Sequence, residues 1–313
     1  MQVFELCYPL SLYPGTVPEQ GQVMAIGDFD GLHHGHREVI RLAVETGRQQ
    51  SRPVSLMTFH PHPREVLGHD VYARCLTPLP DKLEMLEQLG IDAVYLVRFD
   101  PVFAQVTAEQ FVTDMLMPLQ PSTVVVGFDF AFGHQARGNA DSLCEFGHGR
   151  FAVQVVRPFH MNEEKVSSTL IRRALEEGSV EHAAELLGRP YSIKGTVVHG
   201  DARGRQLGFP TANVQLDYPY VVPAKGVYAV RATVESSQYA GVMNLGTKPT
   251  FADGTPVSSF EVHLFDFNRS IYGEKMQVEL VTYLRPERKF ESIDALIAQI
   301  RTDAERAREL LSV

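Results

Sequence analysis

Tryptophan is absent from this chain and cysteine nearly so, with three in 313 residues. Cys7, Cys75 and Cys144 are far apart, and no Cys-x-x-Cys pair occurs. That excludes a disulfide framework and the usual cysteine zinc sites, and it suits a reducing compartment. No apolar run approaches the roughly 20 residues that a membrane span needs. The first residues show no basic stretch leading into an apolar core, so no secretory signal is expected. A cytoplasmic protein without a membrane partner is the expectation. Positive charge is also scarce: 29 Lys and Arg stand against 38 Asp and Glu, a net charge of −9. Such a chain is a poor polyanion binder, so no nucleic-acid partner is expected. Small anions remain open to it, because one site needs only a few basic groups. The rest is ordinary globular composition at a length that favours two domains.

The two parts of the chain follow different patterns. Residues 1 to 187 alternate short unbroken apolar runs with helical ones. Val23–Ile26, Val54–Phe59, Ala93–Val97 and Thr123–Val126 read as strands. Arg37–Arg48, Lys82–Leu89 and Ala108–Leu116 read as helices. Buried strands separated by helices indicate an α/β domain, Rossmann-like, with a parallel sheet covered on both faces. Ligands of such sheets bind beyond the carboxyl ends of the strands. From 188 to 313 the pattern turns to alternating β segments, at 192–199, 226–234, 240–245, 259–265 and 276–283, which predict a small antiparallel β-barrel. Turns such as Ala252-Asp253-Gly254 separate them. A helix from about Ser292 closes the chain. Ile293, Leu296, Ile297, Ile300 and Leu311 keep the helical period and predict its packing face, with Ser292 as N-cap.

In the first part, Gly27-Asp28-Phe29-Asp30-Gly31-Leu32-His33-His34-Gly35-His36 joins a strand to a helix. Glycines let the backbone approach an anion, and a helix start offers free N–H groups. His33 and His36, three positions apart, can face the same anion. Ser167, Ser168 and Thr169 open a second helix, with Arg172 one turn on. They form a phosphate cradle or an ordinary helix cap. Asp129 ends another strand, in Gly127-Phe128-Asp129-Phe130-Ala131-Phe132-Gly133. It suits a substrate hydroxyl, a base or a metal-bound water, or is simply a turn aspartate. His60-Pro61-His62-Pro63 reads as a rigid loop, without the third ligand a metal site needs. The turns after residues 26, 59 and 127 all follow strands and are expected along one edge.

In the second part, Gly195 to Asn213 runs from a strand into a loop with Gly200, Gly204, Gly208, Arg203 and Arg205. Glycines with guanidinium groups suit a polyphosphate, though a flexible hairpin has the same composition. The Thr211 hydroxyl and Asn213 carbonyl are hard oxygen ligands suited to Mg²⁺. No Gly-Lys-Ser/Thr follows, so this is not a Walker loop. Glu261, as bare sequence, is an alternating strand residue.

Taken together, these motifs resemble the prokaryotic bifunctional riboflavin kinase/FAD synthetase (FMN adenylyltransferase) family. The His-x-Gly-His turn is similar to that of nucleotidyltransferases acting on the α-phosphate of ATP. Pro61-His62-Pro63-Arg64-Glu65 and Ser167-Ser168-Thr169-x-x-Arg172 follow in order. Pro210-Thr211-Ala212-Asn213, Gly226-Val227-Tyr228, Asn244–Phe251, Glu261–Leu264 and Tyr283–Phe290 continue the likeness through the second part. Ala131, Ala136 and Leu170 stand where many relatives carry arginine, with Arg137 beside Ala136.

The resemblance implies phosphorylation of riboflavin to FMN by ATP, then AMP transfer from ATP to FMN, giving FAD and pyrophosphate. ATP, riboflavin, FMN and FAD would be the partners, with Mg²⁺ accompanying ATP. It implies an adenylyltransferase ATP site of Gly27, Phe29, His33, His36, Asp129, Ser167, Ser168, Thr169 and Arg172. A kinase ATP site would comprise Gly200, Arg205, Gly208, Pro210, Thr211 and Asn213, with Thr211 and Asn213 holding the metal. Leu284, Arg285 and Phe290 would contact flavin. Glu261 would be the general base of the kinase, and His33 and His36 the catalytic groups of the other site. His263, on the same strand face as Glu261, is read as structural.

Overall fold

A computed structural model describes residues 1–200, 204, 207–249 and 256–313. By internal packing the chain forms two compact units, Met1–Ser168 and Thr169–Val313.

The first unit is built on a six-stranded parallel sheet in the order β1-β4-β3-β2-β5-β6. Its strands are β1 (Gln2–Leu6), β2 (Gln22–Ile26), β3 (Val54–His60), β4 (Ala93–Arg98), β5 (Pro121–Gly127) and β6 (Ala152–Val156). The helices between them are α1 (His34–Gln50), α2 (Pro63–Val66), α3 (Leu79–Gln88), α4 (Ala108–Gln110) and α5 (Ala140–Gly147). A π-turn, Phe111–Leu116, continues α4. The central strand β2 is wholly buried. Its side chains divide by parity, as a strand covered on both faces requires. Val23 and Ala25 pack with Val39, Ile40 and Ala43 of α1. Met24 and Ile26 pack with Phe103, Phe111 and Met115 on the other face.

The edge strand β1 escaped the sequence reading. Most of its residues are exposed and it pairs only with β4, so it lacks the continuous apolar run of its neighbours. From β2 the chain winds through β3 to β4 on one side, while β5 lies on the other. The gap beyond the carboxyl ends of β2 and β5 is therefore a topological switch point.

The second unit is a closed antiparallel barrel in the order β10-β13-β12-β11-β14-β9. Near the end of the first unit, β7 (His160–Met161) and β8 (Glu164–Lys165) form a small hairpin. The barrel strands are β9 (Tyr191–Val198), β10 (Ala212–Leu216), β11 (Gly226–Val234), β12 (Ser237–Pro249), β13 (Pro256–Leu264) and β14 (Lys275–Arg285). Two helices precede the barrel, α6 (Ser168–Glu176) and α7 (Val180–Leu187). By packing they go with it: α7 lies against β9 and β14, and the Ala224 N–H donates to the Leu175 carbonyl at 2.8 Å. The compact second unit thus starts about twenty residues ahead of the boundary at 188 read from the change of pattern.

The terminal helix α8 (Ile293–Leu311) is capped by Ser292, whose hydroxyl accepts from the Ala295 N–H at 3.1 Å. Its packing face follows the expectation from Leu296 to Leu311 and departs from it at Ile293. Ile293 is 66% exposed, and the buried positions are Asp303, Ala307 and Leu311, the last two set against Ala229 and Phe265. Leu296, Ile297 and Ile300 are half-buried. Apolar period alone does not say which end of a helix its partner covers. The sequence Ala252-Asp253-Gly254, read as a turn, lies outside the described residues.

Candidate active sites

In the first unit, the turns after β2, β3 and β5 stand side by side, because these strands are neighbours in the sheet. The β2 turn is held from below. The Asp28 carbonyl accepts from the Lys82 ammonium at 2.7 Å and the Thr58 hydroxyl at 3.0 Å. Asp30 is buried, and its Oδ1 accepts the backbone N–H groups of Leu76 and Thr77 at 2.9 and 3.1 Å. The Ser168 hydroxyl donates to the Asp30 carbonyl at 2.8 Å. Phe29 is buried beneath Gly27, where a Cβ would come within 3.3 Å of the Phe29 ring.

His33 caps α1, its Nδ1 accepting the His36 backbone N–H at 3.3 Å. That bond fixes the neutral tautomer, leaving Nε2–H as the donor. The His33 and His36 rings stack with centroids 3.7 Å apart. Gly35 permits this arrangement, since a Cβ there would meet the His33 ring at 3.2 Å. Burial lowers the His33 pKa to about 4, although Asp30 and Asp129 pull the other way. Burial also holds His36 well below the ordinary histidine value, and the neighbouring His33 and Lys82 push it further down. Both imidazoles are therefore uncharged at neutral pH. They can donate hydrogen bonds to phosphoryl oxygens without carrying a standing charge. The Nδ1 of His36 is buried with no hydrogen-bond partner among the described residues, so the pair has unused capacity.

Asp129 follows β5 and is bound by Lys165 at 2.8 Å, whose ammonium also lies 4.2 Å from the Phe128 ring centroid. His62 stacks on Tyr72 and approaches Asp28 to 3.8 Å. Ser167 is half-buried and Thr169 exposed, while Arg172 is buried on α6. The division between units falls at the start of α6, so Thr169 and Arg172 count with the second unit. Ala131 and Ala136 are exposed on the loop after β5, and Arg137 there bonds Gln135 at 3.0 Å.

In the second unit the site is a product of register. Glu261 on β13 lies directly opposite Asn213 on β10 and Asn244 on β12. Residues paired across antiparallel strands share a face, so all three side chains project together. Phe260, Val262 and Leu264 are buried on the other face, which leaves the half-buried Glu261 outside the barrel core. The Ser259 hydroxyl donates to Glu261 Oε1 at 3.2 Å. Asn213 also pairs with Val198 on β9, and its amide lies against Gly200. A Cβ at Gly200 would come within 2.2 Å of that amide, so only glycine lets the Asn213 side chain pack this closely. Thr211 immediately precedes β10, and its hydroxyl lies 3.2 Å from where a Cβ on Gly204 would stand. Gly208 has φ +84° and, like Pro210, is exposed. The Pro210 carbonyl accepts from His263 Nδ1 at 2.8 Å, which commits that ring to holding the loop. Arg203, Arg205 and the Thr250-Phe251 end of the Asn244–Phe251 motif lie outside the described residues.

Of the flavin-contact candidates, Leu284 packs with α8. Arg285 is held by Asp303 of α8, through Nε at 3.0 Å and a terminal nitrogen at 2.7 Å. Phe290 lies beneath the guanidinium groups of Arg285 and Arg288. Sequence reasoning missed Lys82, Thr58, Asp30 and Asn244 as groups that shape the two sites. Asn244 was within reach of it, since its motif was in view, but its pairing with Glu261 depends on strand register.

A family model for FAD synthetase matches residues 16–170, and one for riboflavin kinase matches residues 187–311. A bifunctional riboflavin kinase/FMN adenylyltransferase of Bacillus subtilis is 45% identical over 287 residues, 91% of each chain. The enzyme of the same name from Listeria monocytogenes is 40% identical over 309 residues, 98% of each chain. A solved Streptococcus pneumoniae structure, titled a macrolide-efflux protein, superposes with a TM-score of 0.88 at 32% identity. The match covers 98% of this chain and 99% of that one. Among the described residues here, no helix is long and apolar enough to cross a membrane.

Proposed function

Because the chain belongs to the bifunctional riboflavin kinase/FMN adenylyltransferase family, we propose a division of labour between its two sites. The protein phosphorylates riboflavin to FMN and then adenylylates FMN to FAD. The barrel performs the first reaction, and the parallel-sheet unit carries the switch-point turn for the second. The observation that carries the kinase assignment is the Asn213–Glu261–Asn244 row across three strands. Glu261 accepts the proton of the ribityl hydroxyl as that oxygen attacks the γ-phosphorus of ATP, the bond to the β,γ-bridging oxygen breaks and ADP leaves. Gly200, Gly208, Pro210 and Arg205 belong to the loop that receives the nucleotide. Leu284, Arg285 and Phe290 bound the flavin.

Thr211 and Asn213 fit a Mg²⁺ ion. Both offer hard oxygens, and glycine at 200 lets the Asn213 amide keep its place against the loop backbone. Bound there with ATP, the ion supplies charge neutralisation of the polyphosphate.

At the first site no protein nucleophile is required. An FMN phosphate oxygen attacks the α-phosphorus of ATP in line, and pyrophosphate leaves. Catalysis then consists of positioning and of charge stabilisation where it develops. His33 and His36, neutral and pre-stacked, donate to the phosphoryl oxygens. Gly27 and Phe29 shape the turn, and Asp129 serves the nucleotide or flavin side. Ser167, Ser168, Thr169 and Arg172 form the second cradle, for the leaving polyphosphate. Three free thiols and the small-molecule substrates agree with a cytoplasmic enzyme that needs no nucleic acid.

Incubation of the purified chain with riboflavin and MgATP, with riboflavin, FMN and FAD separated over time, tests this reading. FMN should appear first and FAD later. FAD from supplied FMN with no FMN from riboflavin would remove the kinase half.

A further inference from the structure

Lys82 is placed where an ammonium group is costly. It sits in the opening turns of α3, near the positive end of that helix's dipole. It is 8% exposed. Among the described residues no carboxylate forms an ion pair with it, and its one hydrogen bond goes to the Asp28 carbonyl at 2.7 Å. An ammonium has three N–H donors, so two remain for another acceptor. The Thr58 hydroxyl already donates to the same carbonyl at 3.0 Å, so Lys82 is not needed to satisfy that oxygen. A buried charge without a partner ordinarily destabilises a fold, and an apolar residue of similar length would do better there.

The cost has a local explanation. Asp28 lies within the β2 turn, between Gly27 and the buried Phe29, at the sheet's switch point. The Lys82 ammonium is close enough to help depress the His36 pKa, together with burial and His33. The two histidines are uncharged, so they give the site donors without a net charge. We infer that Lys82 is a positioning residue of the adenylyl-transfer site, supplying from beneath the turn the positive field that attracts and orients the ATP phosphates. The inference rests on the assignment of that reaction to the His33–His36 turn. The groups around it are uncharged His33 and His36, Asp30 anchored on two backbone N–H groups, and Asp28, whose carboxylate points to His62. Lys82 is then the buried positive charge of this turn, alongside the half-buried Arg37 whose Nε donates to the Leu32 carbonyl at 3.2 Å, and it offsets the turn's carboxylates and favours an incoming polyphosphate.

The test uses the full chain with Lys82→Gln, Lys82→Met and Lys82→Arg. Gln keeps a donor but loses the charge, Met keeps only bulk, and Arg keeps the charge. Three readouts are taken: FAD formation from supplied FMN, thermal stability, and calorimetric binding of inorganic pyrophosphate. Riboflavin phosphorylation by the same samples is the internal control. Lys82→Gln and Lys82→Met should lower kcat/KM for ATP in FAD formation roughly 10- to 100-fold and weaken pyrophosphate binding at least several-fold. Melting temperature should hold or rise, because an unpaired buried charge is gone. Lys82→Arg should restore much of the activity, and kinase activity should stay unchanged.

Two outcomes overturn the inference. One is normal FAD formation and pyrophosphate binding in Lys82→Gln. The other is loss of activity together with loss of stability that Lys82→Arg does not rescue, which marks a purely structural lysine. If His33 and His36 variants lose FAD synthesis while Lys82→Gln does not, this inference alone fails. If neither does, the assignment of the turn fails with it.

Discussion

In the first unit the reactive side chains hang on turns that follow strands, and in the second they stand on the strands themselves. The difference sets how each site is made rigid. The histidine turn is a loop, so it needs anchors: Asp30 on two backbone N–H groups, Thr58 and Lys82 on one carbonyl, Phe29 buried beneath. The barrel site needs few anchors. The ladder that closes the barrel also fixes Asn213, Glu261 and Asn244 in one row. The electrostatic strategies differ as well. Burial strips charge from His33 and His36, whereas Glu261 stays half-buried on the outer face. A donor for a developing oxyanion works uncharged, but a base must reach solvent-accessible substrate.

That contrast can be broken at several points. Glu261→Gln keeps shape and hydrogen bonding but removes the base. Kinase turnover should fall roughly 10²- to 10⁴-fold, with riboflavin binding largely kept and adenylylation of supplied FMN unchanged. Turnover within a few fold of wild type, with chemistry rate-limiting, would remove Glu261 from the mechanism. His33→Ala with His36→Ala should reverse the pattern. FAD formation should fall at least 10²- to 10³-fold while FMN formation stays near wild type. A double variant that still makes FAD at the normal rate would show that the turn does not perform the reaction.

Gly200→Ala sharpens the comparison, because it perturbs register chemistry through backbone space alone. Its Cβ would displace the Asn213 amide, and we expect about a tenfold loss of kinase activity, recovered in part by raising Mg²⁺. An unchanged Mg²⁺ dependence would dissociate Asn213 from the metal.

The acid response should separate the units by stability. His33 has a folded pKa of about 4 against an ordinary 6.5. Protons therefore favour the unfolded chain. The contribution is full above pH 6.5 and is lost as pH falls toward 4, on the order of 3 kcal/mol. Thermal melts across that range should show His33→Gln flattening the acid slope of the first unit and leaving the barrel's alone. A slope that does not change would mean that His33 titrates normally in the fold.

The smallest effect expected is one of boundary. A fragment from Leu187 should still phosphorylate riboflavin and make no FAD. A fragment from Thr169 keeps α6 and α7, whose Val180, Ala183, Leu186 and Leu187 are buried. It should melt several degrees higher, consistent with about 2 kcal/mol or more of apolar burial. Equal melting temperatures would show that the helices do not support the barrel.

The α/β pattern, the barrel and the histidine turn were legible in the sequence. Each is encoded locally: apolar runs give strands, glycines give turns, and a histidine pair one turn apart gives two rings on one side. The edge strand β1 was not legible, because most of its residues face solvent. The face of α8 was misread at Ile293, because an apolar period says that a helix has a buried side without saying which stretch of it is covered. Glu261 reads from residues alone as any outward strand carboxylate, and only the resemblance singled it out.

By itself, then, the sequence determined element types, the order of the two units and the chemistry available at each motif. These follow from short-range preferences and the pattern of apolar residues. Tertiary structure alone decided which groups meet. Asn244 faces Glu261 because β12 and β13 pair in one register out of several, and a slip of one residue would turn either side chain to the opposite face. Lys82 reaches the β2 turn because a helix more than fifty residues later packs beside it. The two histidines lose their charge because the fold desolvates their rings. Register, long-range packing and desolvation depend on where distant segments end up, and no local stretch of residues carries that information.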